Sequence, residues 1–163
     1  MSLTGFYDHG VFRFFDPSLR MGGVQDWRLV DAASGVDISK LLTHFALTGL
    51  MGDADEIRKI DKAFVKKSSA LLYFDLKKGK IANFDGIEEA LRIPGVVGYH
   101  QCRFVGDVID SYGTVKNVAI RFILSCSSKE ELKRTIIEVQ KCVRITDAEG
   151  NNLIISPFDP NLV

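Results

Sequence analysis

Cysteine is scarce and poorly placed for chemistry: the 163 residues include three, Cys102, Cys126 and Cys142. They are odd in number, form no CxxC pair and stand at no zinc-motif spacing to a histidine, which argues against a disulfide framework or a zinc site. Reduced thiols in the cytoplasm are expected. Net charge is missing too, because 21 Lys plus Arg are balanced by 21 Asp plus Glu, so no global field favours nucleic acid or a membrane surface. Binding must come from a local site. No apolar run approaches the roughly 18 residues that cross a bilayer, and the first residues lack the basic and apolar regions of a secretory leader. Internal repeats and low-complexity stretches are also lacking.

What remains is 46% hydrophobic, enough for one compact domain or two small lobes sharing a core. Residues 6–15 read as a hairpin of aromatic and β-branched strands turning at Asp8-His9-Gly10, with a loop after it that holds Trp27. Asp37 is placed to cap a helix whose Ile38, Leu41, Leu42, Phe45 and Ala46 share a buried face, and Gly49 and Gly52 to end it. Residues 53–68 are charged and read as a linking segment with a short helix. A second hairpin is expected around Lys77-Lys78-Gly79, then a short helix in residues 86–95 stopped by Pro94, and strands over 96–104 and 115–128. Ser127 or Ser128 should cap a helix with acids in its first turn and Leu132, Ile136, Ile137, Val139 and Val143 along one side. A last strand is expected over 151–156. Hairpins and helices without βαβ alternation predict an α+β chain with antiparallel sheets, divided as 1–52, 53–68 and 69–163.

The end of the first hairpin carries the chemistry. On an extended strand Asp16, Ser18 and Arg20 would share one face, placing a carboxylate, a hydroxyl and a guanidinium in a row. Carboxylate and hydroxyl oxygens suit Mg²⁺, and an arginine fork suits phosphate or carboxylate. Gly22 and Gly23 would let backbone approach a ligand closely. From residue types alone, the plainer reading is commoner: a turn after a strand, with Arg20 solvated.

The order of residues 5–49, "GFYDHGVFRFFDPSLRMGG" followed by "AASGVDISKLLTHFALTG", resembles the C-terminal end of the ATP-grasp catalytic domain. That family includes biotin carboxylase, the large subunit of carbamoyl phosphate synthase and amino-acid ligases. The resemblance puts Asp16 and Ser18 at metal-binding positions usually held by glutamate and asparagine, and Arg20 at the arginine that faces phosphate and substrate. It puts Ser34-Gly35-Val36-Asp37 at the start of the following helix. The family's first metal-binding glutamate is expected one hairpin earlier, near Thr4, where no acid stands. Residues 69–163 resemble the small lobe that follows in amino-acid ligases and carbamoyl phosphate synthase.

The resemblance implies a cytoplasmic ATP- and Mg²⁺-dependent ligase joining a carboxylate to an amine or other nucleophile through an acyl phosphate. The lysines and glycine-rich lid that hold ATP would lie in N-terminal lobes upstream. With Met1-Ser2-Leu3 read as a vector-derived leader, the chain is expected to be a truncated and inactive piece of such a ligase. Its strand edge at residues 6–15 is then expected to self-associate. The alternative is a non-catalytic binding or regulatory module with a degenerate metal site. His9, His44, His100, Arg103, Arg121 and the lysines at 77, 78 and 80 are expected to be structural or solvated, although His100, Arg103 and Arg121 could reach an anion.

Overall fold

A computed structural model describes the chain except for residues 1, 19, 24, 53, 54, 56–66, 112 and 114, and the side chains at 2, 3, 18, 26 and 115. It divides into two compact units, Met1–Phe64 and Val65–Val163. Most of the expected linking segment, with its short helix, lies outside the described residues.

The first unit begins with an antiparallel ribbon of β1 (Ser2–Asp8) and β2 (Val11–Ser18). His9 and Gly10 make its turn, both at positive φ. The register slips between Thr4 and Gly5, so Thr4 faces Asp16, Gly5 faces Phe14, and Phe15 is the extra residue of a bulge. Gly5 permits this approach, because a Cβ there would lie 2.6 Å from the Arg13 carbonyl oxygen. Aromatic rings bind the ribbon together: Phe6 stacks on Phe15 at 5.0 Å, and Tyr7 meets Phe12 at 4.8 Å. Helices α1 (Asp26–Ser34) and α2 (Ile38–Thr48) follow. Asp37 caps α2 as expected, accepting from the Lys40 N–H at 3.0 Å and the Ser39 hydroxyl at 2.6 Å. The Ser39 hydroxyl and then the Lys40 N–H hold its carboxyl below the ordinary 3.8. That contribution to α2 is present above the unfolded value and lost as pH falls through the folded one.

The second unit is built on a three-stranded antiparallel sheet, β3 (Ser68–Asp75), β8 (Val118–Cys126) and β6 (Val96–Gln101), with β8 in the centre. Two short ribbons flank it. In one, β4 (Gly79–Lys80) pairs with β7 (Val108–Ile109); in the other, β5 (Asn83–Asp85) pairs with β9 (Arg144–Thr146). Alternation puts Leu72, Phe74, Ile120, Phe122 and Leu124 on one face, and helix α4 (Lys129–Cys142) covers that face with Leu132, Ile136 and Val139. The short helix α3 (Ile87–Leu91) packs beside α4. Buried Asn117 ties the start of β8 to the end of β3: its Nδ2 donates to the Leu76 carbonyl at 3.1 Å, and its own carbonyl accepts from the Leu76 N–H at 2.9 Å.

Ser128 caps α4 by accepting from the Glu131 N–H at 3.1 Å, and Glu131 reaches back to accept from the Ser127 N–H and hydroxyl. Two otherwise orphaned donors are thereby satisfied. Ser128→Ala should lower the stability of this unit by about 1 kcal/mol in urea denaturation, with an unchanged slope.

Four local expectations are corrected. The loop after β2 contains α1, and Trp27 is half-buried on that helix. Its start is hard to read because Gln25, the cap residue, is left-handed and gives no side-chain cap. Gly79 is no hairpin turn: β3 pairs with β8, while β4 pairs with β7, so partners distant in sequence overrode the local turn chemistry. Residues 151–156 form only single bridges, Asn152 with Thr146 and Ile154 with Leu76. No residue of α2 is fully buried, and Phe45 and Ala46 are exposed.

Candidate functional site

Asp16 and Ser18 stand two apart near the end of β2, opposite Thr4 and Ser2. The strand stops at Ser18. Arg20 lies beyond it, so strand alternation does not carry the row to the arginine; instead its Nη1 donates to the Met21 carbonyl at 3.1 Å. Asp16 and Arg20 are both exposed. Gly22 is half-buried, and a Cβ on Gly23 would meet nothing within 4 Å. Packing inside the chain therefore gives no reason for glycine at 23.

Thr4 is the cross-strand partner of Asp16, so the position expected for a second carboxylate carries a hydroxyl. Among the described residues no three His, Cys, Asp or Glu side chains gather as a metal site. One carboxylate still fits Mg²⁺, which is commonly held by one or two carboxylates together with waters and substrate phosphates rather than by an all-protein cage. The donor set suits a phosphate-bridged ion and not a resident structural one.

The ribbon around Asp16 is apolar and open. Phe6, Tyr7, Phe12, Phe14 and Phe15 are each more than half exposed. An isolated two-stranded ribbon is marginal in water, and an aromatic patch of this kind marks a surface built to be covered.

Several other candidates occupy structural or solvent-facing places. Arg103 is structural: its Nε and Nη2 both donate to the Lys116 carbonyl, at 3.0 and 2.9 Å. His9 is exposed and lies 3.5 Å from Asp8. His44 and His100 are half-buried, and Lys77, Lys78 and Lys80 are exposed. Arg121, expected to be solvated or ion-paired, is buried, at 7% exposure. A cavity of about 340 Å³ lies along β3, lined by Ala70, Leu72, Tyr73, Ile136, Phe158 and Val163 among others. Sequence periodicity gave no sign of it, since its far wall comes from the C-terminal residues. Among the described residues no helix is long and apolar enough to cross a membrane.

No protein-family model matches the sequence, and no curated protein does. Solved structures do. L-amino acid ligase from Bacillus licheniformis superposes with a TM-score of 0.69 at 18% identity, over 85% of this chain and 34% of that one. Phosphoribosylglycinamide synthetase from Anaerococcus prevotii gives a TM-score of 0.71 at 11% identity, over 89% of this chain and 36% of that one. The chain spans about a third of the length of the structures it matches. Both neighbours are ATP-grasp ligases, and the mixed helical and antiparallel-sheet architecture found here is the fold they share.

Proposed function

We propose that this chain forms part of an ATP-dependent ligase and supplies one wall of its nucleotide site, at the end of β2. The observation that carries the reading is the fold held in common with two ligases over most of the chain. The order Asp16, Ser18, Arg20, Gly22, Gly23 at the end of the aromatic ribbon supports it. In the finer reading the enzyme is of the amino-acid ligase or carbamoyl phosphate synthase kind and works in the cytoplasm. A substrate carboxylate oxygen attacks the terminal phosphorus of ATP and ADP leaves. An amine nitrogen then attacks the acyl carbon, phosphate departs with the bonding electrons, and the amine gives up a proton.

Asp16 would supply the anionic oxygen for Mg²⁺ and Ser18 a neutral one. Bound there, Mg²⁺ would neutralise charge on the nucleotide phosphates during transfer. Arg20 would hold the acyl phosphate or the carboxylate with a planar fork. Gly22 and Gly23 would leave room for the ligand against the backbone. Activity would also need the parts of such ligases that this chain does not span, including the lysines and lid that enclose ATP.

The test uses the intact protein that carries this chain. ATP-dependent ligation should be detected there, and Asp16→Ala should lower it at least about 100-fold without loss of stability, since Asp16 is exposed. A second reading, a binding module without catalysis, is favoured by one observation, the hydroxyl of Thr4 where a carboxylate is expected opposite Asp16. Nucleotide binding without product would select it.

Exposure of the ribbon aromatics supports one further expectation. Taken alone, the chain should self-associate at high concentration in sedimentation, and Phe6→Ser with Phe12→Ser should return it to monomer. A monomeric wild type would refute this.

A further inference from the structure

The sheet of the second unit ends on one side at β3, since β8 is central and β6 lies beyond it. The hydrogen bonds around β3 fix the direction of its main-chain groups. The Leu76 N–H donates inward to the Asn117 carbonyl, whereas the Asp75 carbonyl accepts outward from the Ile155 N–H and the Lys77 N–H donates outward to the Leu153 carbonyl. Alternate residues of a strand present their N–H and C=O to the same side, so Leu71 and Tyr73 also face outward. The central strand agrees: the Ser125 N–H donates to the Gly95 carbonyl on the β6 side, which leaves Leu124 and Phe122 to bond Ala70 and Leu72 of β3.

Residues 153–155 thus begin a further strand, antiparallel to the chain after β3, bridged at Ile154 and Leu76. It goes no further along the edge. Pro157 has no N–H to offer a ladder, and Phe158 is held by α4 instead, its N–H donating to Gln140 Oε1 and its carbonyl accepting from Gln140 Nε2. Between this segment and β3 lies the cavity of about 340 Å³. Ala70, Leu71, Leu72 and Tyr73 all line it, and consecutive residues whose side chains point to opposite faces meet one space only along the main-chain edge of the strand. Ile136 of α4 adds to its apolar lining, and Ser156, Phe158 and Val163 form the far wall. Tyr73 and Phe158 are 37% and 41% exposed, so the groove is open to solvent.

We propose that this groove binds an extended peptide of a partner protein, which adds to the sheet as a strand antiparallel to β3 where residues 153–155 leave off. The outward N–H and C=O groups of Leu71 and Tyr73 pair with no strand among the described residues, and their spacing along the edge is matched by extended main chain. Alternate side chains of the peptide would enter against Ala70, Leu72 and Ile136, which calls for apolar residues there. Asp75 lines the end at which an antiparallel peptide starts, and favours a basic residue at that end. No charge stands between Ser68 and Phe74, where edge strands usually carry one to repel an incoming strand. A second copy pairing through its own β3 would bring its own Phe158 wall to the same edge, so a single strand is the better fit. The inference concerns only the second unit and stands apart from the ligase reading, which rests on β2.

The test follows amide hydrogen exchange in the whole chain by NMR, with and without a synthetic hexapeptide of lysine followed by valine and threonine in alternation, its ends acetylated and amidated. Without peptide, the Leu71 and Tyr73 N–H groups should exchange faster than those of Ala70 and Leu72, which bond β8. The peptide should slow Leu71 and Tyr73 by about tenfold or more along a saturating curve. With its valines toward Ile136 in the antiparallel register, its threonine N–H groups point at β3 and its valine N–H groups point away. N-methylation of the threonines should therefore abolish the effect, and N-methylation of the valines should leave it. No slowing up to the peptide's solubility limit, or slowing that survives threonine methylation, would overturn the proposal. Protection of Leu71 and Tyr73 that rises with protein concentration alone would overturn it in favour of a second copy.

Discussion

Gly86→Ala is expected to destabilise the second unit by about 3 kcal/mol or more, from strain plus overpacking. Gly86 is the residue before α3 and has φ 81, in the left-handed region where an L side chain is strained. A Cβ there would also stand 2.0 Å from the Cys142 carbonyl oxygen and 3.2 Å from the Val143 nitrogen. Both atoms are backbone at the end of α4, so neither can swing away as a side chain would. Gly150→Ala is the control: its φ is 82, but nothing lies within 4 Å of the new carbon. It should cost only about 1 kcal/mol, the conformational part alone. Equal urea midpoints for the two variants would show that α3 does not pack against the end of α4.

Phe122→Ala should cost about 3 to 5 kcal/mol, the range for emptying a fully buried aromatic site. Its ring has no exposure and meets Phe74 edge-on at 5.8 Å and Tyr99 at 6.2 Å. Those three residues come from the three strands of the sheet, so one truncation loosens all of them. Phe104→Ala, at 59% exposure, should stay within about 0.5 kcal/mol. A small effect at Phe122 would mean that the face under α4 is not the core.

Local patterns explain what could be read in advance. The α4 helix announced itself through a serine cap, acids in the first turn and an apolar stripe, all of which depend on neighbours within a few residues. The start of α2 at Asp37 was legible for the same reason. The β1–β2 ribbon was readable because its turn is two residues long. Pairings over long distances were not: nothing in Gly79-Lys80 points to Val108-Ile109, and nothing in Asn83 to Asp85 points to β9. Helix α1 was missed because Gln25 lacks any capping signal.

The residues of the candidate site stand out in the sequence by a different route. Asp16, Ser18, Arg20, Gly22 and Gly23 were singled out by order and spacing, and the structure supplied what spacing could not, the slipped register that sets Thr4 against Asp16. The buried state of Arg121 was not legible at all. An arginine in a β-branched strand reads as solvated until the strand is known to be central.

The ligase reading is tested most directly by ATP-dependent condensation of a carboxylate with an amine by the intact protein that carries this chain, compared with its Asp16→Ala variant. Product and ADP are expected from the intact protein, with a loss of at least about 100-fold in the variant and its stability unchanged. Ligation that persists undiminished in Asp16→Ala would contradict it.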